Sequence, residues 1–320
     1  MNKPDQTFEA FIKHSDGSYR YEPVTPKHVI AGDTDSVYID LSCVFDKDAD
    51  SNIVIKFADT LGEKVNDSFS DMLGAVFNIP EEKRGIVRTE REAVSDKSVF
   101  FGKKKYVMHV IDMEGKPVDK LKKMGVEIIK SDTPIVIQGF LQTIVDKMLD
   151  NASYDDIKGY VQEFKQAYYK MTMSEIGRPT NIKVLNKYYA MFQTNLNLME
   201  TYQSLHGVNV DQSNPMKDIP YHAKAAIIYN MKCQGSDVEI RAGDKMKITY
   251  VKDEPYAAIG IPSDLEVEEL PKFMDEIEID YGVMWEKVEK KLDLYLEPIG
   301  YDLKSRKEAH KRSFFFAENV

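Results

Sequence analysis

Two β-type runs, Val29-Ile30-Ala31 and Val37-Tyr38-Ile39-Asp40-Leu41, flank the short segment Gly32-Asp33-Thr34-Asp35-Ser36. This pattern predicts a strand, a tight turn and a second strand, with two carboxylates held at the tip of the hairpin. Hard cations such as Mg²⁺ take oxygen ligands, and a rigid turn fixes where those ligands sit. Paired carboxylates on such a turn are what a two-metal phosphoryl-transfer site needs, although most Asp-rich turns only satisfy backbone N–H groups.

Composition is that of a globular protein, with 320 residues, 42% hydrophobic and 30% charged residues. The sequence has no apolar run long enough for a membrane span and no signal peptide, so we expect a cytoplasmic protein. The widely separated Cys43 and Cys233 favour buried or free thiols in a reducing compartment. The net charge of −10 argues against generic polyanion binding, but residues 103–130 carry eight lysines against four acids. That segment is either a basic face for a phosphate backbone or merely solvated surface.

The first 131 residues predict an α+β module. Residues 1–27 are polar and are interpreted as an extension before the first strand. Apolar residues at near-helical spacing from Phe57 to Val76 predict a core helix that ends at Asn78 and Pro80. Strands are predicted over 85–94, 99–111 and up to Ile129, which together make an antiparallel sheet with packed helices.

From Thr133-Pro134 onward the pattern becomes helical. Thr133 is the predicted cap of a helix over Ile135–Leu149, and a second helix is predicted over Tyr154–Met171. An irregular insertion is expected over 205–262, followed by a last helix over Met284–Leu296. The fold is therefore predicted to be α+β, with a mainly helical second part that begins near residue 131.

A lysine-rich segment, Gly102-Lys103-Lys104-Lys105-Tyr106-Val107, follows the carboxylate turn in the same module. On a strand, Lys104 and Tyr106 would share one face, because side chains alternate. A Lys and a Tyr side by side can hold successive phosphates or sugars without reading sequence. The alternative is a basic strand edge that discourages aggregation.

Three segments in the same order resemble family B DNA polymerases. Ile30–Tyr38 resembles the palm metal-binding motif, and Gly102–Tyr106 resembles the Lys-x-Tyr motif. Lys120–Glu127, followed by Lys130–Pro134, is similar to the palm-to-thumb junction of the T-even phage branch. The resemblance covers most of the chain after residue 28 and implies a DNA-directed DNA polymerase.

The resemblance also implies roles for individual residues. Asp35 would ligate catalytic Mg²⁺, with Asp33 as the supporting carboxylate, and both would be catalytic. Glu90 and Glu92 match acidic positions near the family's site, where they either tune the metals or pair with Arg88 and Arg91. The residues implied to hold primer–template DNA are Lys104, Tyr106, Lys122, Lys123, Lys130 and Ser131.

Several family elements have no counterpart in these 320 residues: the Asp-x-x-Ser-Leu-Tyr-Pro motif, the fingers helix and the exonuclease acids. Ala31 also replaces the Tyr that commonly precedes Gly-Asp-Thr-Asp, which affects packing beside the metals. Because Met1 lies close to Asp33, we expect the C-terminal subunit of a split replicative polymerase. An N-terminal chain would carry the exonuclease, the fingers and the remaining palm. That partner would complete the two-ion Mg²⁺ site for the dNTP, and this chain would be inert without it.

The end of the chain is basic and then aromatic, as in the clamp-binding peptide of the T-even branch. Phe314, Phe315 and Phe316 are therefore predicted to bind a sliding clamp, with docking on the chain's own surface as the alternative. The expected organisation is an N-terminal extension or partner tether (1–27), palm (28–131), thumb (132–300) and clamp-binding tail (301–320). The rival hypothesis is a non-catalytic DNA-binding or clamp-docking protein derived from a polymerase fragment. For a phage-encoded protein, the cytoplasm would be that of the bacterial host.

Overall fold

In the computed structural model, the chain forms two compact units. The described residues are 8–13, 19–24, 29–33, 35–42, 44–46, 48–206, 215–216, 218–233, 238–252, 258–265 and 269–301. Among them, the N-terminal unit extends to Val126 and includes Pro298–Gly300. The C-terminal unit comprises Glu127–Glu297 and Tyr301.

Antiparallel pairs make up the sheets of the N-terminal unit. Two hairpins, β1–β2 and β3–β4, precede a three-stranded sheet of order β5-β6-β7. Their bounds are β1 Phe8–Lys13, β2 Tyr19–Val24, β3 Val29–Asp33, β4 Ser36–Ile39, β5 Ala93–Gly102, β6 Lys105–Met113 and β7 Lys116–Met124. Glu114 and Gly115 link β6 to β7 with φ values of 52° and 80°, as a tight hairpin turn requires. These sheets and the helical C-terminal unit confirm the predicted α+β class.

The segment interpreted as an extension contains the β1–β2 hairpin, and its role as a tether stays a prediction. Two strand predictions were wrong. A 3-10 helix over Glu81–Ile86 replaces the start of the strand predicted over 85–94. The end of the sheet is also shorter than predicted, because Glu127–Ile129 is a 3-10 helix.

The long helix α1, Ser51–Phe77, confirms the helix that was predicted from apolar spacing. The predicted burial of this helix is not observed. The Asp50 side chain accepts from the Asn52 backbone N–H, and Asn78 ends the helix in the left-handed conformation with φ 52°. No residue of α1 is buried, and Phe77 is 61% exposed. The prediction that this helix is core was therefore wrong for the described chain.

The C-terminal unit contains α2 Ile135–Leu149, α3 Tyr154–Tyr168, α4 Met173–Ile176, α5 Leu185–His206, α6 Tyr221–Lys232 and α7 Tyr281–Leu296. A three-stranded antiparallel sheet of order β10-β9-β8 accompanies them, with β8 Arg178–Asn181, β9 Lys245–Tyr250 and β10 Ala258–Pro262. Capping boxes at Ser153 and Thr172 begin α3 and α4. The helices predicted near 135–149, 154–171 and 284–296 are confirmed, with α3 ending earlier and α7 beginning earlier than predicted.

The core of the C-terminal unit runs through the region that the sequence predicted to be irregular. Helix α6 packs on β10, and all five β10 residues are buried. At Gly260 a Cβ atom would lie 3.0 Å from Met246 Sδ and 3.4 Å from the Ala225 carbonyl carbon, so a small residue permits this close approach. Cys233 is a buried thiol, whereas Cys43 lies outside the described residues. None of the helices in the described ranges meets the length and apolarity needed to cross a bilayer.

Candidate metal and nucleic-acid site

The predicted carboxylate turn lies at the tip of the β3–β4 hairpin. Asp33, the last residue of β3, pairs with Ser36, the first residue of β4. The connection is therefore two residues long, and Asp35 is exposed within it. The placement of Thr34 lies outside the described residues. Short hairpin connections are conformationally restricted, so the turn limits the positions that the two carboxylates can adopt.

The predicted lysine strand is instead a second hairpin tip. Gly102 at the end of β5 pairs with Lys105 at the start of β6, so Lys103 and Lys104 form the turn. Lys104 has a φ of 59°, a left-handed conformation. The expectation that Lys104 and Tyr106 alternate along one strand was therefore wrong, because Lys104 precedes the strand.

Gly125, directly after β7, supports the turn that carries Lys104. Its φ is +63°, and a Cβ atom there would lie 2.3 Å from the Lys104 carbonyl oxygen. Real Cβ atoms do not approach a backbone oxygen so closely, so only glycine fits. Gly125 belongs to the segment that resembles the palm-to-thumb junction. In the fold, this glycine allows the Lys104 turn to approach the end of β7 closely.

An ion pair joins the two hairpin tips. The Lys104 ammonium lies 3.0 Å from Asp33 Oδ2, with side-chain exposures of 60% and 35% respectively. Such an exposed pair contributes at most about 1 kcal/mol to stability, because water screens both charges. It nevertheless places an exposed ammonium group beside Asp33, where an approaching phosphate could compete for it.

Aromatic packing behind the ion pair holds the hairpins together. The Tyr38 hydroxyl donates to the Tyr106 hydroxyl at 3.0 Å, and ring centroids of Tyr38, Phe100 and Tyr106 are 5.3–5.4 Å apart. Tyr106 is only 5% exposed. Burial, the hydrogen bond from Tyr38 and the nearby charges of Glu92 and Asp33 raise the pKa of Tyr106, which keeps its hydroxyl neutral. Tyr106 therefore packs between the hairpins, and its implied contact with the primer end stays a prediction.

The two acidic candidates precede β5 and lie in an irregular segment instead of on a strand. Both Glu90 and Glu92 are exposed, and Glu92 forms an ion pair with Lys122 on β7. Arg91 does not pair with either of them; it bridges Asp59 on α1 and the buried Asp112 on β6. The suggested pairing of the two glutamates with Arg91 was therefore wrong.

The remaining lysine candidate of this unit, Lys123, lies beside Lys122 on β7. Its backbone is opposite Val107 of β6, and its side chain is partly buried. Neighbouring residues on a strand face opposite sides of the sheet, so the side chains of Lys122 and Lys123 project from different faces.

The carboxylates at the hairpin tip are the ligand type that Mg²⁺ prefers, but two of them are too few to enclose the ion. Asp33 and Asp35 provide hard oxygen donors, and Asp33 has its own counter-ion in Lys104. Within the described ranges, no group of three or more His, Cys, Asp or Glu side chains could enclose a metal ion. These residues are therefore part of a donor set at most.

The last two DNA-binding candidates, Lys130 and Ser131, lie in the C-terminal unit and are exposed. Lys130 forms an ion pair with the buried Glu127, which Lys291 on α7 also contacts. Thr133 does not cap α2 as predicted: its hydroxyl donates to Glu127 at 3.4 Å and accepts from Lys291 at 2.9 Å. Phe314, Phe315 and Phe316 lie outside the described residues.

Sequence reasoning missed Tyr38, Glu127 and Lys291. The signal for Glu127 was present, since an acid in the apolar run Val126–Ile129 requires a partner if it is buried. Its partner Lys291 lies 164 residues away in sequence, so only the folded chain reveals it.

Sequence comparisons assign the chain to a family. The profile of DNA polymerase family B matches residues 5–299. The DNA-directed DNA polymerase of Enterobacteria phage T4 is 24% identical over 264 residues, which cover 76% of this chain and 27% of the relative. That of Escherichia phage RB69 is 24% identical over 315 residues, which cover 90% of this chain and 31% of the relative. The chain thus spans less than a third of these curated relatives.

Proposed function

The chain belongs to DNA polymerase family B, and from this premise we propose that it forms the C-terminal part of a polymerase that carries out template-directed DNA synthesis. The observation that carries the proposal is the meeting of the two hairpin tips, where Lys104 pairs with Asp33 beside Asp35. A carboxylate pair with an adjacent exposed cation suits a reaction in which a phosphate group arrives with divalent metal ions.

Asp33 and Asp35 would hold Mg²⁺, with Asp35 as the main ligand. When bound, the ions would activate the primer 3′ hydroxyl and stabilise charge on the nucleotide's α-phosphate. Lys104 forms an ion pair with Asp33 and would be the cation that contacts the primer phosphate. Tyr38 and Phe100 would keep Tyr106 and the hairpin in place through packing.

The incomplete donor set of the described residues supports a partner that supplies the remaining metal ligands. The partner would be the N-terminal polymerase chain, with exonuclease, fingers and the rest of the palm. Exposed apolar side chains of the N-terminal unit support this, with Val37 56% exposed on β4 and Ile53 58% exposed on α1. Among the described strands, β3 and β4 pair only with each other, so their outer edges are available to extend a sheet. We expect an apolar interface of the obligate kind and no activity from this chain alone.

The primer–template duplex would be held without sequence preference. Lys104, Lys122, Lys123 and Lys130 would contact the backbone, and Ser131 would add a hydroxyl contact. Lys122 would have to release Glu92 first. Because such contacts displace condensed counter-ions, binding should weaken steeply with salt.

The tail would add a sliding clamp to these partners through Phe314, Phe315 and Phe316. Removal of the residues after Arg312 should then abolish clamp-stimulated processivity and spare distributive synthesis.

Substitution of Asp35 tests the catalytic proposal. In the complex of both polymerase chains, Asp35→Asn should lower the rate of primer extension by at least about 10³-fold, because a lost metal ligand removes transition-state stabilisation worth several kcal/mol. Co-purification of the two chains should be unchanged. Asp155→Asn, which alters an exposed carboxylate of α3, is the matched control. Normal extension by the Asp35→Asn complex would instead favour a non-catalytic, DNA-binding role.

A further inference from the structure

One carboxylate in the C-terminal unit serves two ammonium groups. The Glu127 side chain is 10% exposed; Lys130 donates to its Oε1 and Lys291 donates to its Oε2. Burial opposes ionisation, but hydrogen bonds from the two lysines outweigh it and lower the pKa of Glu127. The cluster therefore contains one negative and two positive charges at neutral pH, one positive charge more than the carboxylate needs.

The two lysines are not equivalent. Lys291 is 24% exposed and also donates to the Thr133 hydroxyl at 2.9 Å, so two groups on the protein hold it. Lys130 is 44% exposed and contacts Glu127 from three residues along the chain. Its ammonium can turn toward solvent by rotating its own side chain. Lys291 would have to abandon both Glu127 and Thr133.

We propose that Lys291 is a positioning residue that frees Lys130 for DNA, because it neutralises Glu127 whenever Lys130 leaves the carboxylate for a backbone phosphate. The inference rests on the proposed contact between Lys130 and the primer strand. In the absence of DNA, the Glu127 carboxylate binds the Lys130 ammonium in place of a backbone phosphate. When DNA binds, the lysine exchanges one anionic oxygen for another.

The physical reason lies in the burial of Glu127. A buried carboxylate that loses its only cation is strongly unfavourable, since neither water nor another charge replaces the lost interaction. With Lys291 present, departure of Lys130 leaves a paired carboxylate. Without Lys291, Lys130 becomes the sole counter-ion of Glu127 and is retained by it. Loss of Lys291 should therefore remove the phosphate contact made by Lys130, although Lys291 does not itself contact the DNA.

The test measures the dissociation constant of the full chain for a short primer–template duplex at several salt concentrations. Lys130→Met should reduce the slope of log K against log salt by about 0.9, the value for one phosphate contact. Lys291→Met should produce the same reduction, and the double variant should show no further one. Adding Glu127→Gln to Lys291→Met should restore the wild-type slope, because a neutral amide no longer retains Lys130.

Two controls separate this role from a merely structural one. Lys291→Arg keeps the charge and should retain the wild-type slope. Lys290→Met removes the same charge from an exposed position on the same helix and should leave the slope unchanged. If Lys291→Met does not fold, the comparison moves to the Glu127→Gln background. There Lys130→Met should still reduce the slope, and Lys291→Met should not.

A wild-type slope in Lys291→Met would overturn the inference. A reduced slope that Glu127→Gln does not restore, or a reduction by Lys291→Met in the Glu127→Gln background, would also overturn it. An unchanged slope in Lys130→Met would remove the phosphate contact itself and the inference with it. The polymerase proposal would then still be judged separately by primer extension with Asp35→Asn.

Discussion

The two units differ in how they bury apolar side chains. In the C-terminal unit, residues of α6 and β10 belong to one cluster of buried side chains, and seven residues of α2 are also buried. Among the described residues of the N-terminal unit, the buried ones lie mainly on β5 and β6, whereas α1 has none. Apolar side chains on β4 and α1 remain exposed in the described chain. An amphipathic helix is stabilised mainly by the packing of its apolar face. The contrast supports the proposal that the described apolar side chains of the N-terminal unit form an interface with the rest of a polymerase.

Amide hydrogen exchange should show the largest difference between the units. In the chain alone, β3–β4 amides should exchange on the order of 10³-fold faster than α6 amides, because local opening requires less free energy than unfolding a core. Addition of the N-terminal polymerase chain should slow exchange in β3, β4 and α1 and leave α6 unchanged. Equal protection of both regions in the chain alone would contradict the contrast.

A matched pair of phenylalanine substitutions measures the same contrast as stability. Phe140 on α2 is 1% exposed, and Phe140→Ala should destabilise the chain by about 3–5 kcal/mol through lost burial and a cavity. Phe77 is 61% exposed, and Phe77→Ala should change stability by less than about 1 kcal/mol. Urea denaturation of each variant provides the measurement. Similar losses would show that α1 is packed after all.

Acid should destabilise the C-terminal unit through Glu127. Its pKa is lower in the folded chain than the ordinary value of 4.5. The contribution is therefore present above pH 4.5 and is lost as pH falls through the folded value. We expect Glu127→Gln to lose on the order of 1–3 kcal/mol at pH 6 and much less at pH 3, since hydrogen bonds to a charged group vanish on protonation. A pH-independent loss in denaturation experiments would disprove this.

The N-terminal unit should respond to pH in the opposite direction, and more weakly, through His109. Hydrogen bonds to Asp119 at 2.7 Å and Asp96 at 2.6 Å raise its pKa above 6.5. The stabilisation is therefore complete below pH 6.5 and is lost as pH rises through the folded value. Because Asp119 is 92% exposed, solvent screening limits the effect to less than about 1 kcal/mol. His109→Gln should lower the melting temperature more at pH 5.5 than at pH 8.5, whereas equal shifts would exclude this role.

Local sequence patterns predicted much of the secondary structure. The helix from Phe57 to Val76 follows from apolar spacing, and the β3–β4 hairpin follows from alternating β-type residues around a turn. The errors arose where a pattern had two interpretations. The apolar residues of 205–262 form a helix and strands of the core, because tertiary burial outweighs weak local signals. Three lysines in a row indicated a strand, whereas the backbone turns at Lys103 and Lys104.

The sequence alone determined the chemistry available to this protein: paired carboxylates at Asp33 and Asp35, a lysine cluster, and three ordered motifs typical of one polymerase family. These are local properties, because residue type and spacing within about ten positions specify them. Only the tertiary structure decided which charges meet. It brought Lys104 to Asp33, buried Tyr106 against Tyr38, and joined Glu127 to Lys291 across 164 positions. Contacts between residues far apart in sequence depend on how whole elements pack, and no local pattern encodes them.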